Sequence, residues 1–188
     1  MTADKDVVLT ALRTRRVVRQ FRPDPVAAED IQTVIRAGTW ASSAGNRSIH
    51  RFLVVREAAT IGRLKPFAPG ILARPPAVIV VCTDSELARQ QYVQLGRDRN
   101  TWIDIGTSLM CMMLAAQTLG LGTCPVTSFS QPAVARTLDL PDRLEPELIL
   151  QIGRPAPRPP RPARRRPATF TAAALTDWER PGGDKPGE

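Results

Sequence analysis

Trp102-Ile103-Asp104-Ile105-Gly106-Thr107-Ser108-Leu109-Met110-Cys111-Met112-Met113-Leu114-Ala115-Ala116-Gln117-Thr118-Leu119, followed by Gly120-Leu121-Gly122-Thr123, is the longest helical candidate in the chain. Ile103, Ile105, Leu109, Met110, Met112, Met113, Leu114 and Leu119 cover nearly the whole circumference of such a helix. A helix that is apolar all round needs cover on all sides. In a chain of 188 residues a partner subunit is an expected source of part of that cover. Gly120-Leu121-Gly122 supplies C-cap chemistry. Thr123 to Thr127 then reads as a short strand or extended turn.

Outward from this helix the pattern is mixed. Val7, Val8, Ala11 and Leu12 recur at helical spacing after Asp4 and Asp6, and the helix is expected to run into Arg13, Arg15, Arg16 and Arg19. Pro23 disfavours helix just before it. Ile31, Val34, Ile35 and Gly38 mark a second helix, and Ala41 to Asn46 is small, polar and loop-like. Phe52 to Val55 reads as a strand. Ala77 to Cys82 is a stronger one, β-branched and apolar on both faces, and so central. Pro66 to Pro76 has no clear form. Ser130 is placed to cap a helix through Pro132, Val134 and Leu138, and Leu148 to Ile152 is the last strand. Helices and strands mix without regular β-α alternation, which favours an α+β fold over a doubly wound sheet.

Composition excludes several functions. No apolar run reaches the ~18 residues of a membrane span. The charged N-terminus lacks the apolar core of a signal peptide, which points to the cytoplasm. The three cysteines are far apart and form no Cys-x-x-Cys, and His50 is the single histidine, so zinc and histidine-rich metal sites are not expected. Gly120-x-Gly122 follows a helix instead of opening one, against a dinucleotide fingerprint, and no P-loop sequence occurs. The net charge is +8, and six arginines between Arg154 and Pro167, with no acid among them, supply most of it. The remainder is nearly balanced, unlike a nucleic-acid footprint. Six prolines in the same stretch make it extended.

Four segments carry candidate chemistry. Arg15, Arg16 and Arg19 offer planar forks suited to a phosphate monoester, which lysine cannot match. Ser42, Ser43 and Asn46 give hydroxyl and amide groups on a loop of small residues that a ligand can approach closely. Gly120 to Phe129 delivers backbone amides. Arg164-Arg165-Arg166 ends the basic stretch.

Together these segments resemble the nitroreductase-like flavoprotein family. Arg15-Arg16-Val17-Val18-Arg19-Gln20-Phe21 is similar to its Arg-Arg-Ser-Val-Arg-x-Phe motif, and Ala41 to Arg47 to its Ala-Pro-Ser-x-x-Asn loop. Leu114 to Thr123 is similar to its Leu-Ala-Ala-x-x-Leu-Gly-Leu-Gly segment, and the arginine tail leads on to Trp178-Glu179. The resemblance implies an α+β homodimer with a central, mostly antiparallel sheet flanked by helices, a buried core helix at the dimer interface, and two FMN sites there. It implies an FMN-binding domain over residues 1–153, an extended segment at 154–180 embracing the partner, and a disordered tail at 181–188.

Carried over residue by residue, Arg15 and Arg16 grip the FMN phosphate and ribityl chain, and Arg19 lies near the pyrimidine edge. Ser42, Ser43 and Asn46 line the cofactor. Pro125, Val126 and Thr127 run past the ring, and Arg164 and Arg166 close over the phosphate. Val17 stands where the family has serine, and Ser48-Ile49-His50 where it has Gln-Pro-Trp. The implied activity is hydride transfer from NADH or NADPH to an electron-poor small molecule such as a nitroaromatic or quinone, with no catalytic side chain required. The alternatives are an FMN-dependent dehydrogenase, oxidase or dehalogenase-like enzyme on a biosynthetic intermediate, or a non-enzymatic basic protein binding RNA or acidic partners.

Overall fold

The computed structural model describes residues 3–95, 100–157, 171–177 and 181, with side chains described from residue 7. The chain divides into two units, Met1–Ala156 and Pro157–Glu188. In the second, a single 3-10 turn at Ala173–Leu175 is described.

Four strands form one antiparallel sheet in the first unit. They are β1 (His50–Val55), β2 (Ala77–Asp84), β3 (Gly122–Val126) and β4 (Leu144–Gly153), in the order β1-β2-β4-β3. All eight residues of β2 are buried, as its two-sided apolar run requires. Ala77, Ile79 and Val81 face one core, with Leu148, Leu150 and Ile152 of β4. Helices α2 (Ala28–Thr39) and α5 (Asn100–Thr118) pack on that side through Ile31, Val34, Ile105, Met112, Met113 and Ala116. Val78, Val80 and Cys82 face a second core under α3 (Ala58–Leu64) and α6 (Gln131–Thr137). The architecture is thus helix, sheet, helix. Among the described residues no helix is long and apolar enough to cross a membrane.

Helix α5 is buried on its sheet-facing side, but Trp102 and Ile103 are 68% and 60% exposed, so one chain does not cover it all round. Gly38 of α2 lets the two helices meet closely, since a Cβ there would lie 2.7 Å from Met112 Cγ. At the far end Gly120, with φ of +69°, is the left-handed C-cap.

Helix α1 (Ala3–Thr14) ends sooner than its composition suggests. Asp4 and Asp6 lie inside it, and Arg15 to Phe21 is extended. The reason is tertiary. Val17 forms a parallel bridge with Thr123, and Phe21 an antiparallel one with Pro155. Val18 N–H donates to Thr123 O at 2.8 Å, Arg22 N–H to Arg154 O at 2.9 Å, and Ala156 N–H to Gln20 O at 3.0 Å. These bonds outweigh the helical preference of arginine and glutamine. Arg13 thus lies in the last turn of α1 and Arg15 N–H closes that helix onto Ala11 O at 3.0 Å, while Arg16 and Arg19 project from the extended segment bridged to β3.

Asp84 ends β2 and caps α4 (Ser85–Gln90), accepting from Glu86 N–H at 3.1 Å and Leu87 N–H at 3.2 Å. Arg51 and Arg143 both pair with this buried carboxylate. Burial pushes its pKa up, but the Leu87 N–H and the two guanidiniums outweigh that and hold it below the usual range. Its contribution to stability is therefore present above the unfolded carboxylate pKa of ~3.9 and is lost as pH falls through the lower folded value. Asp84→Ala should lower the urea unfolding free energy by about 2–3 kcal/mol, from a lost cap and stranded donors.

Candidate cofactor site

The residues anticipated for cofactor binding fall into two groups held by opposite ends of α5. The first group comprises Arg15, Arg16, Val17 and Arg19 with Pro125, Val126 and Thr127. Arg15 is half-buried and points its guanidinium at Met113 Sδ, 3.9 Å away. Thr14 Oγ1 accepts from Gln117 Nε2 at 3.0 Å, fixing the end of α1 to the same part of α5. Arg16 folds back so that Nη1 donates to Arg13 O and Arg15 O, at 2.8 and 2.9 Å. Val17 takes part through its backbone bridge to Thr123.

Arg19 is near enough to Cys124 to act on its thiol. Burial raises the Cys124 pKa and the Arg19 charge opposes the rise. Pro125 lies on β3, an edge strand, where its missing N–H costs no ladder bond on the open side. Val126 is buried and Thr127 exposed.

The glycine of Gly122 explains how these segments come so close. A Cβ there would lie 2.5 Å from Val18 Cγ2 and 2.6 Å from Val18 Cβ. Gly153 does the same for Phe21 and Pro76, at 3.0 and 2.7 Å. The Gly-x-Gly at 120–122 thus serves a helix cap with its first glycine and a backbone crossing with its second.

Ser42, Ser43 and Asn46 form the second group. Ala44–Asn46 is a 3-10 turn in which Gly45 and Asn46 both have positive φ. Ala44 N–H donates to Asp104 Oδ1 and Oδ2 at 3.1 and 3.2 Å, and Thr107 Oγ1 lies 3.2 Å from Ser42 O. The loop borders a polar cavity of about 90 Å³ that Arg47, His50, Asp104 and Ser108 also line. Both His50 ring nitrogens and the Ser108 hydroxyl are buried without a hydrogen-bond partner. Burial holds the His50 pKa below its ordinary value, and the Asp104 charge works against that.

Asp104 and Met113 are nine positions apart, so the two groups are anchored about 14 Å apart along one helix. The cavity at the Ser42–Asn46 loop is not lined by Arg15, Arg16 or Arg19. Arg164 and Arg166 lie outside the described residues.

The donor chemistry fits the phosphate of FMN. Among the described residues, no carboxylate lies within ion-pair distance of Arg13, Arg15, Arg16 or Arg19; the ion pairs seen are those of Arg51, Arg89 and Arg143. Four cations without a counter-charge suit a dianionic phosphate. A larger open groove of about 570 Å³ beside α6 does not, since Asp139, Asp142 and Glu145 face a single arginine, Arg136. No group of three metal-ligating side chains is present among the described residues.

The sequence pattern of the nitroreductase family matches residues 12–72 and 61–154. The chain belongs to the nitroreductase family. It is therefore an oxidoreductase of the FMN-using kind, which sets aside the non-enzymatic reading. Among similar proteins, one from Archaeoglobus fulgidus, provisionally named NADH dehydrogenase/NAD(P)H nitroreductase, is 27% identical over 154 residues, covering 78% of this chain and 84% of its own. The FMN reductase [NAD(P)H] of Bacillus subtilis is 25% identical over 166 residues, covering 80% and 67%. The crystal structure of a nitroreductase family protein from Clostridium difficile has a TM-score of 0.74 at 26% identity, over 90% of this chain and 96% of that one.

The site also has features outside the motifs. Asp104, Thr107 and Ser108 were legible only as interruptions of an apolar helix. Asp104 is the single charged residue between Trp102 and Leu119, and that isolation was the available signal.

Proposed function

We propose that two copies of this chain form a homodimer with two FMN sites, each made from the arginine segment of one protomer and the Ser42–Asn46 loop of the other. The observation that carries this is the placement of the two groups at opposite ends of α5. A twofold axis pairing the α5 helices antiparallel would bring each arginine segment to the other protomer's loop. The exposed Trp102 and Ile103 on α5, and Val7, Val8 and Leu9 on α1, supply apolar surface for such an interface.

In this reading Arg15 and Arg16 hold the phosphate, releasing Arg16 from its contacts with Arg13 O and Arg15 O. Arg19 sets a positive charge beside the ring, opposite the buried Cys124. Ser42, Ser43 and Asn46 bind the ribityl chain and ring edge. Pro125 to Thr127 lay the open edge of β3 along the ring. FMN, when bound, supplies the redox chemistry, receiving a hydride equivalent from NADH or NADPH and passing electrons to the acceptor. The chain's own part is to bind, orient and tune. The acceptor is an electron-poor planar molecule, a nitroaromatic or a quinone.

Purified protein should be yellow, elute at twice the protomer mass, and oxidise NADH or NADPH steadily when given a quinone or nitroaromatic. Colourless protein that cannot be reconstituted with FMN would contradict the reading. Oxygen-dependent product formation without NAD(P)H would redirect it to an oxidase.

A further inference from the structure

We propose that Asp104 is a positioning residue for FMN: its carboxylate clamps the Ala44 N–H and so holds the Ser42–Asn46 loop in its binding shape. This rests on the reading of that loop as half of the FMN site.

Three observations converge on it. Both Asp104 oxygens lie 3.1–3.2 Å from the same amide, a charge-assisted contact reaching sixty residues along the chain. One turn further along the helix, Thr107 Oγ1 sits 3.2 Å from Ser42 O and 2.9 Å from Asp104 O, so a second side chain of α5 meets the loop two residues earlier. Between these two anchors, Ser43 is left with its side chain free to face a ligand. Beyond them, Gly45 and Asn46 take positive φ, a shape an unanchored loop would give up readily. A carboxylate here is otherwise out of place, since α5 carries no other charge from Trp102 to Thr118.

Asp104 makes no direct contact with cofactor in this account; it acts through the loop. What the loop needs is an acceptor for one N–H. Asparagine supplies one and leucine, of similar size, does not. The cavity behind the loop offers a built-in reporter. His50 is the only histidine in the chain, so its imidazole signals need no assignment. It faces the cavity with Asp104, whose charge raises the His50 pKa against the larger downward effect of burial.

The test compares Asp104→Leu, Asp104→Asn and Thr107→Val with wild type in the full chain. Three quantities are read: FMN affinity by flavin fluorescence quenching, Ala44 amide exchange, and the His50 pKa by NMR. Asp104→Leu should weaken FMN binding about tenfold or more, the scale of one charge-assisted bond, with Asp104→Asn within about threefold of wild type. Ala44 exchange should be slow in wild type and Asp104→Asn and fast in Asp104→Leu. The His50 pKa should fall further in both Asp104 variants, because each removes the charge that raises it. Thr107→Val should weaken FMN about threefold, as loss of a shared neutral bond.

Wild-type affinity in Asp104→Leu with a protected Ala44 amide would overturn the proposal, as would equal losses in the asparagine and leucine variants. If Asp104→Leu does not fold, wild-type Ala44 protection and the asparagine and valine variants decide the matter. A wild-type apoprotein that fails to bind FMN would overturn the site reading instead, and the Ala44 and His50 measurements would still decide the clamp.

Discussion

A chain carrying Arg15→Ala and Arg16→Ala is expected to fold and to purify without flavin. Each arginine offers a charge-assisted, forked contact to phosphate, and hydrogen bonds to charged groups contribute about 1.5–3 kcal/mol each. Losing two weakens FMN affinity by roughly a hundredfold to ten-thousandfold, enough to empty the site on purification. Stability should change little. Arg16 is exposed and contacts only backbone carbonyls near its own position, and Arg15's polar contact is a long one to Met113 Sδ. The measurement is the flavin absorbance of purified protein together with an FMN titration and thermal melts. Retained colour would remove the arginines from the site. Loss of colour with a collapsed melting temperature would assign them a structural part instead.

The second large effect is expected at Gly122. Alanine there would place a methyl group 2.5–2.8 Å from three carbons of Val18, a β-branched side chain with little rotamer freedom. The conflict cannot be relieved by a flexible tip, so the backbone crossing must open. Overpacking of this kind costs about 1–3 kcal/mol, which in a chain of this size lowers the melting temperature by roughly 3–10 °C. The functional loss should exceed the loss of stability, because Val18, whose N–H donates to Thr123 O, lies between Arg16 and Arg19. Gly122→Ala should therefore bind FMN at least tenfold more weakly while still folded. Gly62→Ala is the control: that glycine lies in α3, on the other side of the sheet from α5, with nothing within 4 Å of an added Cβ, and the change should be neutral or stabilising. Unchanged FMN affinity in folded Gly122→Ala would show that the crossing does not orient the arginines.

Much of the fold was legible because single elements declared themselves. β2 reads as central from its unbroken β-branched run, and all eight of its residues are indeed buried. α5 reads as core from its circumference, and its exposed Trp102 and Ile103 mark where one chain's cover ends. The helix α3 and the six-residue α4 were not foreseen. α3 has no side-chain cap, and α4 is too short to show a period, although Asp84 ahead of Ser85-Glu86 was a cap in plain sight.

Beyond Arg15 the arginine segment departs from a helix for a different reason. Its local preference is helical, while its conformation is fixed by Thr123, Arg154 and Pro155, residues more than a hundred positions away. Sequence order, through the family resemblance, also groups the Ser42–Asn46 loop and the arginines around one expected cofactor. It could not say that they sit at opposite ends of one helix, because that depends on where Asp104 and Met113 point. The resemblance already implies FMN sites at the dimer interface; in the proposed reading this spacing assigns the arginines to one protomer and the loop to the other.

That division is best tested by mixing two FMN-binding-defective proteins. One carries Arg15→Ala and Arg16→Ala; the other carries Ser42→Ala, Ser43→Ala and Asn46→Gly, glycine being chosen to keep the positive φ. After subunit exchange, half the dimers are mixed, and each mixed dimer holds one site with both halves intact. FMN titration of the mixture should recover about one quarter of the wild-type sites if the site is shared across a twofold interface. Recovery of no sites, with mixed dimers verified by native mass spectrometry, would contradict a site built from the arginines of one protomer and the loop of the other.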